Sequence, residues 1–404
     1  MKVTMKKIAI IGTVGIPSRY GGFETLAHHL TDQLKDKFEF TVYCSKRAYN
    51  KNERITYFNK AKLIYLPFDA NGVQSIIYDI VSILHAVVFC DTLLILGVSG
   101  SIAIPFVRLF SNKKVIVNID GLEWNRNKWN KFAKRFLKFS ERIAVKFSHA
   151  DITDNEAIKR YTSINYKTLS HLIEYGGDHT INFGSVRKYV KKYPFLKKTY
   201  AFKVARIEPE NNIHMVLEAF SKTKMRLVVV GNWQKSDYGE QLKLKYQNFK
   251  NIILHDPIYN QEELDVIRRN CLVYIHGHSA GGTNPSLVEA MCLNLAVVSF
   301  DVSYNRATTE NVAYYFKNGD DLVKLINKIK HSDLIDNAAK MAQIANRRYQ
   351  WSVVAIKYKN LIYTFEYNYK KHNIKADITS LERDYLQKWG LAHLSSPKFY
   401  YQKD

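Results

Sequence analysis

Three constellations in the chain have the residue types and spacing to hold a phosphorylated ligand. Gly281-Gly282-Thr283-Asn284-Pro285-Ser286 runs directly into Leu287-Val288-Glu289-Ala290-Met291. Asn284 is a favoured N-cap residue and Pro285 a favoured first helical residue, so this loop should feed straight into a helix whose free N–H groups favour an anion. That is the outline of a diphosphate site. Glu289 then falls about one turn inside the helix, where its carboxylate could accept hydrogen bonds from two vicinal hydroxyls such as those of a ribose. A capped structural helix with a glutamate on its solvent face is the alternative. The second constellation is Val204-Ala205-Arg206-Ile207-Glu208-Pro209-Glu210-Asn211-Asn212, in which Arg206 stands where a strand meets a loop. A guanidinium there can grip phosphate oxygens in two places at once, although an arginine at a strand end also serves as an ordinary surface residue. The third is Gly12-Thr13-Val14-Gly15 followed by Tyr20-Gly21-Gly22-Phe23-Glu24. Its glycines let the backbone approach a ligand beside a helix N-terminus, or simply make a tight turn.

These loops need strands and helices to hold them. In the first half, Ile8–Ile11, Phe40–Tyr43, Lys62–Tyr65, Thr92–Leu96 and Val115–Asn118 read as strands, with helix-like stretches such as Glu24–Leu34 and Ile76–Phe89 between them. In the second half, Thr199–Ala205, Arg226–Val230, Asn251–Leu254, Leu272–Ile275 and Ala296–Phe300 are strands, separated by helices such as Ile213–Ser221, Glu262–Asn270 and Ser286–Cys292. Regular alternation of this kind predicts parallel sheets covered on both faces, and two such sheets in tandem place a ligand cleft at their carboxyl ends. The expected organisation is a Rossmann-like domain over 1–186, a charged linker over 187–198, a second Rossmann-like domain over 199–350, a helix over 351–368 and a polar tail over 369–404. A chain of 404 residues with 46% apolar composition can fill two cores.

The motifs, in this order and spacing, resemble the family 4 retaining glycosyltransferases of the GT-B fold. The stretches GIPSRYGGFET (15–25) and VNIDGLEW (117–124) resemble more narrowly the bacterial rhamnosyltransferases of capsule and cell-wall polysaccharide assembly. The resemblance covers roughly Lys6 to Phe365. It implies two domains facing each other across a cleft, with the C-terminal helix crossing back to the first. It also implies that Arg206 binds the donor diphosphate, together with the amides around Gly282, Thr283, Asn284, Pro285 and Ser286. Glu289 would bind the nucleotide ribose, and the loop of Gly15, Gly21 and Gly22 would close over the donor. Glu24, Asp120 and Glu123 are the nearest candidates for a general base by motif, and Asp120, Glu24 and Arg206 are the candidates for catalysis. The chain departs from the family pattern at three places. The first glutamate of the E-x7-E pair would fall at Gly281, the usual lysine after the arginine at Asn211, and a histidine associated with the sugar's O6 at Asp120. A 6-deoxy sugar has no O6, so the last change fits a donor such as dTDP-rhamnose, although Asp120 could instead bind another sugar hydroxyl or the acceptor. The expected activity is retaining transfer of L-rhamnose to a lipid-linked saccharide. Alternatives are UDP-glucose or UDP-GlcNAc as donor, a GT-B epimerase or hydrolase, or a non-catalytic basic protein that binds membrane or nucleic acid.

No metal or cofactor is expected. The four cysteines lack zinc-type spacing, Asp320-Asp321 reads as a turn, and the fold stabilises a leaving diphosphate with helix N-termini and basic side chains. The formal charge of +23 points to a polyanionic partner or surface. The stretch 125–149 carries Trp129, Phe132, Phe136, Phe139, Ile143 and Phe147 at helical spacing, among Lys128, Lys131, Lys134, Arg135, Lys138, Arg142 and Lys146. Such a helix can lie on anionic lipid, but the favoured expectation is that its aromatic stripe packs on the sheet and only its cations face outward. No nucleic-acid-binding pattern accompanies it, and no stretch reaches the roughly 18 to 20 apolar residues of a membrane span. A cytoplasmic protein held peripherally on the inner face of the plasma membrane is expected.

Overall fold

A computed structural model describes residues 5–19, 21–125, 129–181, 184–365 and 371. They divide into two compact units, one running up to Tyr175 and resuming at Trp351, the other spanning Gly176–Gln350. The expected tail over 369–404, apart from Lys371, and the end of the expected 351–368 helix lie outside the described residues.

The first unit is built on β1 (Lys6–Ile11), β2 (Phe38–Ser45), β3 (Tyr57–Phe58), β4 (Ala61–Leu66), β5 (Thr92–Leu96), β6 (Lys114–Asn118), β7 (Ala150–Thr153) and β8 (His171–Leu172). Their order in the sheet is β3-β4-β2-β1-β5-β6-β7-β8, and only the β3–β4 pair is antiparallel. The central strands are buried on both faces, which is why they read as unbroken apolar runs. Strand order reverses at β1, so the loop that follows it stands at a topological switch point. The helix Trp351–Thr364 completes this unit by packing on the helix Gly22–Leu34, with Trp351 stacked on His29 at 4.5 Å between ring centroids.

The second unit holds β9 (Ala201–Val204), β10 (Leu227–Val230), β11 (Ile252–His255), β12 (Val273–His276), β13 (Val297–Phe300) and β14 (Tyr314–Phe316). All pairs are parallel, in the order β11-β10-β9-β12-β13-β14. Alternate residues feed two cores. Leu227 and Val229 join Ile213 and Leu217 on one face, while Val228 and Val230 join Val266 and Ile267 on the other. The switch point here lies between β9 and β12, the two strands that carry Arg206 and the 277–284 loop at their carboxyl ends. The stretch 187–198, expected as a linker, makes a short helix over Val186–Tyr189 and a 3-10 turn over Pro194–Lys197. Tyr189, Tyr193 and Phe195 lie in the same core cluster as Phe202 and Tyr274.

The aromatic stripe of the basic helix follows the expectation only in part: Trp129, Phe136 and Phe147 pack against the sheet's core, and Phe132 and Phe139 do not. The helix Lys131–Phe147 buries Leu137, Ser140, Glu141, Ala144 and Val145, a line one residue round from the stripe. Glu141 can occupy the core-facing line because the Tyr161 and Tyr166 hydroxyls donate to it at 2.8 and 2.5 Å. Small Ser140 and Ala144 then let the helix approach. Phe136, Ile143 and Phe147 are left half-buried, with Phe132 80% and Phe139 56% exposed. Among the described residues, no helix is long and apolar enough to cross a membrane.

Candidate functional site

In the second unit, Arg206 lies two residues beyond β9 on a short loop that Asn211 closes by donating from Nδ2 to the Arg206 carbonyl at 2.8 Å. Asn211 is buried and turns inward, so the position where the family pattern has a lysine offers no cation. The Arg206 guanidinium is about one-third exposed, and its Nε stands 3.6 Å from Glu208. At that length the contact is no hydrogen bond, and the partly exposed guanidinium can turn toward an anion.

The loop after β12 leads into the helix Pro285–Cys292, with Asn284 as N-cap. Its amides are not available as the spacing suggests. Asn284 Oδ1 accepts from the Ser286 amide at 3.1 Å, the Asn284 carbonyl accepts from Leu287 and Val288, and Pro285 has no N–H. Among the described residues here, backbone amides that make no hydrogen bond belong to the preceding loop, at Ala280, Gly281, Gly282 and Asn284. The anion-binding capacity therefore lies a turn earlier than expected. Gly281 has φ +129° and open space where a side chain would project. The missing glutamate is thus also a change of backbone, since L-residues rarely adopt that conformation.

Glu289 is 14% exposed and does not sit on a solvent face. Arg268 Nη1 lies 2.6 Å from Oε2, and His179 Nε2 lies 3.4 Å from Oε1. Burial opposes ionisation of Glu289, but Arg268 and His179 outweigh it and hold the carboxyl below its ordinary value. Arg268, only 2% exposed, also stands 3.5 Å from the buried Asp265. Burial pushes Asp265 up to about 6 despite that cation and two hydrogen bonds from Gln261. Arg268 and His179 were not legible as site residues. Arg268 looks like one more charge on the helix Gln261–Arg269, and His179 lies on a 3-10 turn over Asp178–Ile181, far from Glu289 in sequence.

Two further groups lie behind these loops. Lys203 on β9 and His276 on β12 are fully buried, and among the described residues neither Lys203 Nζ nor the His276 ring nitrogens find a hydrogen-bond partner. Burial lowers Lys203 to about 7 and takes His276 well below its ordinary value, with Lys203 adding to the second effect.

In the first unit, the loop after β1 is tied to the helix Gly22–Leu34 through Glu24, whose Oε1 accepts from the Val14 amide at 2.7 Å. Gly21 has φ +127°, and a methyl group there would lie 1.8 Å from Glu24 Oε2, so the carboxylate takes the space a side chain would fill. Gly15 stands at the start of this loop and Gly22 opens the helix. Burial raises the Glu24 carboxyl, Asp120 adds to the rise by repulsion, and the Val14 amide opposes both. Asp120 follows β6 in a left-handed conformation, φ 64°, fixed by its amide donating to Asn118 Oδ1 at 3.1 Å. Asp120 thus stands close enough for its charge to act on Glu24 within one unit. Glu123 accepts instead from Trp129 Nε1 at 3.1 Å. Among the described residues, no cluster of His, Cys, Asp and Glu could hold a metal ion.

Residues 185–348 match the family Glycosyl transferases group 1, and residues 5–178 match Domain of unknown function (DUF1972). No curated protein matches the sequence. Among solved structures, sucrose-phosphate synthase from Thermosynechococcus elongatus is similar at TM-score 0.75 and 14% identity, over 89% of this chain and 99% of that one. Anabaena HepE in complex with UDP-glucose is similar at TM-score 0.68 and 13% identity, over 89% and 100%. A Listeria monocytogenes structure assigned as a UDP-N-acetylglucosamine 2-epimerase is similar at 0.60 and 13%, over 93% and 100%. At these identities the likeness establishes the fold, which is GT-B, and the second unit carries a group 1 glycosyltransferase domain.

Proposed function

We propose that the protein transfers a 6-deoxyhexose, L-rhamnose from dTDP-rhamnose, to a lipid-linked saccharide of capsule or cell-wall assembly, with retention of anomeric configuration. The observation that carries the proposal is Glu289, held ionised by Arg268 and His179 one turn behind a loop with four unbonded amides. A nucleoside diphosphate presents a sugar-ring hydroxyl, the 3′-OH in a deoxythymidine donor, to such a carboxylate and oxygens to such amides. Arg206 adds the mobile cation. In the reaction the bond from sugar C1 to the diphosphate oxygen breaks, with its electron pair leaving on the nucleoside diphosphate. C1 bonds to an acceptor hydroxyl oxygen, and that hydroxyl loses its proton. Arg206 and the loop amides of Gly281, Gly282 and Asn284 stabilise the leaving charge. Asp120 and Glu24 are assigned to the acceptor's proton, burial raising the Glu24 carboxyl above its ordinary value.

The 6-deoxy assignment rests on Asp120 standing where a histidine for O6 would be, and the retaining course on the likeness to the family 4 enzymes. A UDP-glucose donor is the second reading, favoured by the bound ligand of the HepE structure. The lipid-linked acceptor places the enzyme at the cytoplasmic face of a membrane. A panel of nucleotide sugars, each with and without lipid-linked saccharide, tests all of this. Acceptor-dependent release of dTDP from dTDP-rhamnose is expected. Release without acceptor, or interconversion of the sugar nucleotide, refutes transfer, and equal use of UDP-glucose refutes the 6-deoxy assignment.

A further inference from the structure

The helices Gln74–Phe89, Ile104–Phe110 and Lys131–Phe147 lie along one face of the first unit's sheet. The connections from β4 through β5, β6 and β7 all step the same way across the sheet, so right-handed crossovers put all three helices on one side. Their inner residues Ile83, Ala86, Val107, Leu137 and Ala144 belong to a single core cluster. The outer surface of this layer is unusually apolar. Of the six exposed phenylalanines among the described residues, five are on these helices, joined by Leu109 at 75% and Val88 at 69% exposure.

The same surface is basic. Arg108, Lys131, Arg135, Lys138, Arg142 and Lys146 are exposed, and among the described residues no carboxylate pairs with any of them. The three helices contain only two acidic residues, Asp79 and Glu141, and both are buried. Cations interleaved with Phe, Leu and Val on one helical layer match an anionic lipid surface, where headgroups meet the charges and acyl chains the apolar side chains. A second copy of the chain fits poorly, because a two-fold contact would set these unpaired cations against their own images. A nucleic acid would meet the cations but gives Leu109 and Val88 no apolar partner.

We infer that this three-helix face docks the protein on an anionic bilayer, with the Leu109–Phe110 corner inserted and the Lys131–Phe147 helix lying in the headgroup layer. The inference deepens the proposed function by naming the surface that brings the enzyme to a lipid-linked acceptor, and it rests on that reading for the choice of membrane. The experiment is flotation of the full chain with vesicles of phosphatidylglycerol and phosphatidylcholine, and with phosphatidylcholine alone. The wild type should bind the anionic vesicles and lose the binding in pure phosphatidylcholine. L109S/F110S and R135E/R142E should each bind about tenfold more weakly or worse, with dTDP binding and circular dichroism unchanged. No binding by the wild type, or undiminished binding by both variants, overturns the inference. So does sedimentation showing that L109S/F110S turns a dimer into a monomer. Because flotation needs no sugar donor, docking without any transferase activity would sink the proposed function alone, and transfer without docking would sink this inference alone.

Discussion

Removing Arg268 should separate the fold of the second unit from its donor chemistry. In R268M, Glu289 loses the cation at 2.6 Å and Asp265 the one at 3.5 Å, leaving two buried carboxylates with only His179 and Gln261 beside them. Breaking a buried pair in this way costs about 3–5 kcal/mol. Both carboxyls should then protonate more readily, because burial is the strongest influence on each and the cation that opposes it is gone. A protonated Glu289 accepts the 3′-hydroxyl of dTDP poorly. Hydrogen bonds to a charged acceptor are worth about 1.5–3 kcal/mol, so dTDP affinity should fall about 10- to 100-fold. Thermal unfolding gives the stability loss, and isothermal calorimetry on the protein that remains folded gives the affinity. R268K keeps the charge and should recover much of both. The decisive control is a double-mutant cycle with E289Q. If Arg268 acts through Glu289, the affinity loss in R268M should largely vanish in the E289Q background. Equal losses in both backgrounds, or unchanged dTDP affinity in R268M, would refute the reasoning.

R206A should lower donor turnover by about 10²-fold or more, as loss of a charged contact to the leaving group does, with the melting temperature unmoved because the side chain is partly exposed; steady-state kinetics with a melting curve checks both. Lys203 has a folded value lowered to about 7, so the unfolded chain binds the extra proton from there up to the ordinary 10.5. Its contribution to stability therefore rises with pH across that window, and K203M should be more stable than wild type near pH 6 and lose that advantage by about pH 10, as read from urea midpoints. G281E should be destabilised by about 1–3 kcal/mol because an L-residue is forced to φ +129°, and should gain no activity despite restoring the family's carboxylate; a gain in kcat would show that the loop relaxes.

Much of the fold is legible because a parallel sheet writes itself as apolar runs. Thr92–Leu96 and Leu227–Val230 are buried along their whole length and stand out for that reason. β7 does not, since Asp151 interrupts it. That carboxylate is tolerated in the core only because Thr168 donates to it at 3.1 Å and Ser170 and Lys371 contact it from distant segments. The basic helix is legible as a helix but not in its facing. Periodicity finds the aromatic stripe, while the hydroxyls of Tyr161 and Tyr166 decide that Glu141 faces inward. The loop before the helix Pro285–Cys292, its Asn284 cap and the place of Glu289 one turn inside follow from cap chemistry and spacing. What surrounds them does not, because Arg268 and His179 reach Glu289 only through folding, and because Asn284 consumes the amides its own spacing promises.

Transfer from a nucleotide sugar is tested most directly by measuring release of dTDP from dTDP-rhamnose with the lipid-linked saccharide present and absent. The expected result is release that depends on acceptor, and a product whose new glycosidic bond keeps the donor's anomeric configuration. Release independent of acceptor, or a product of inverted configuration, would contradict it.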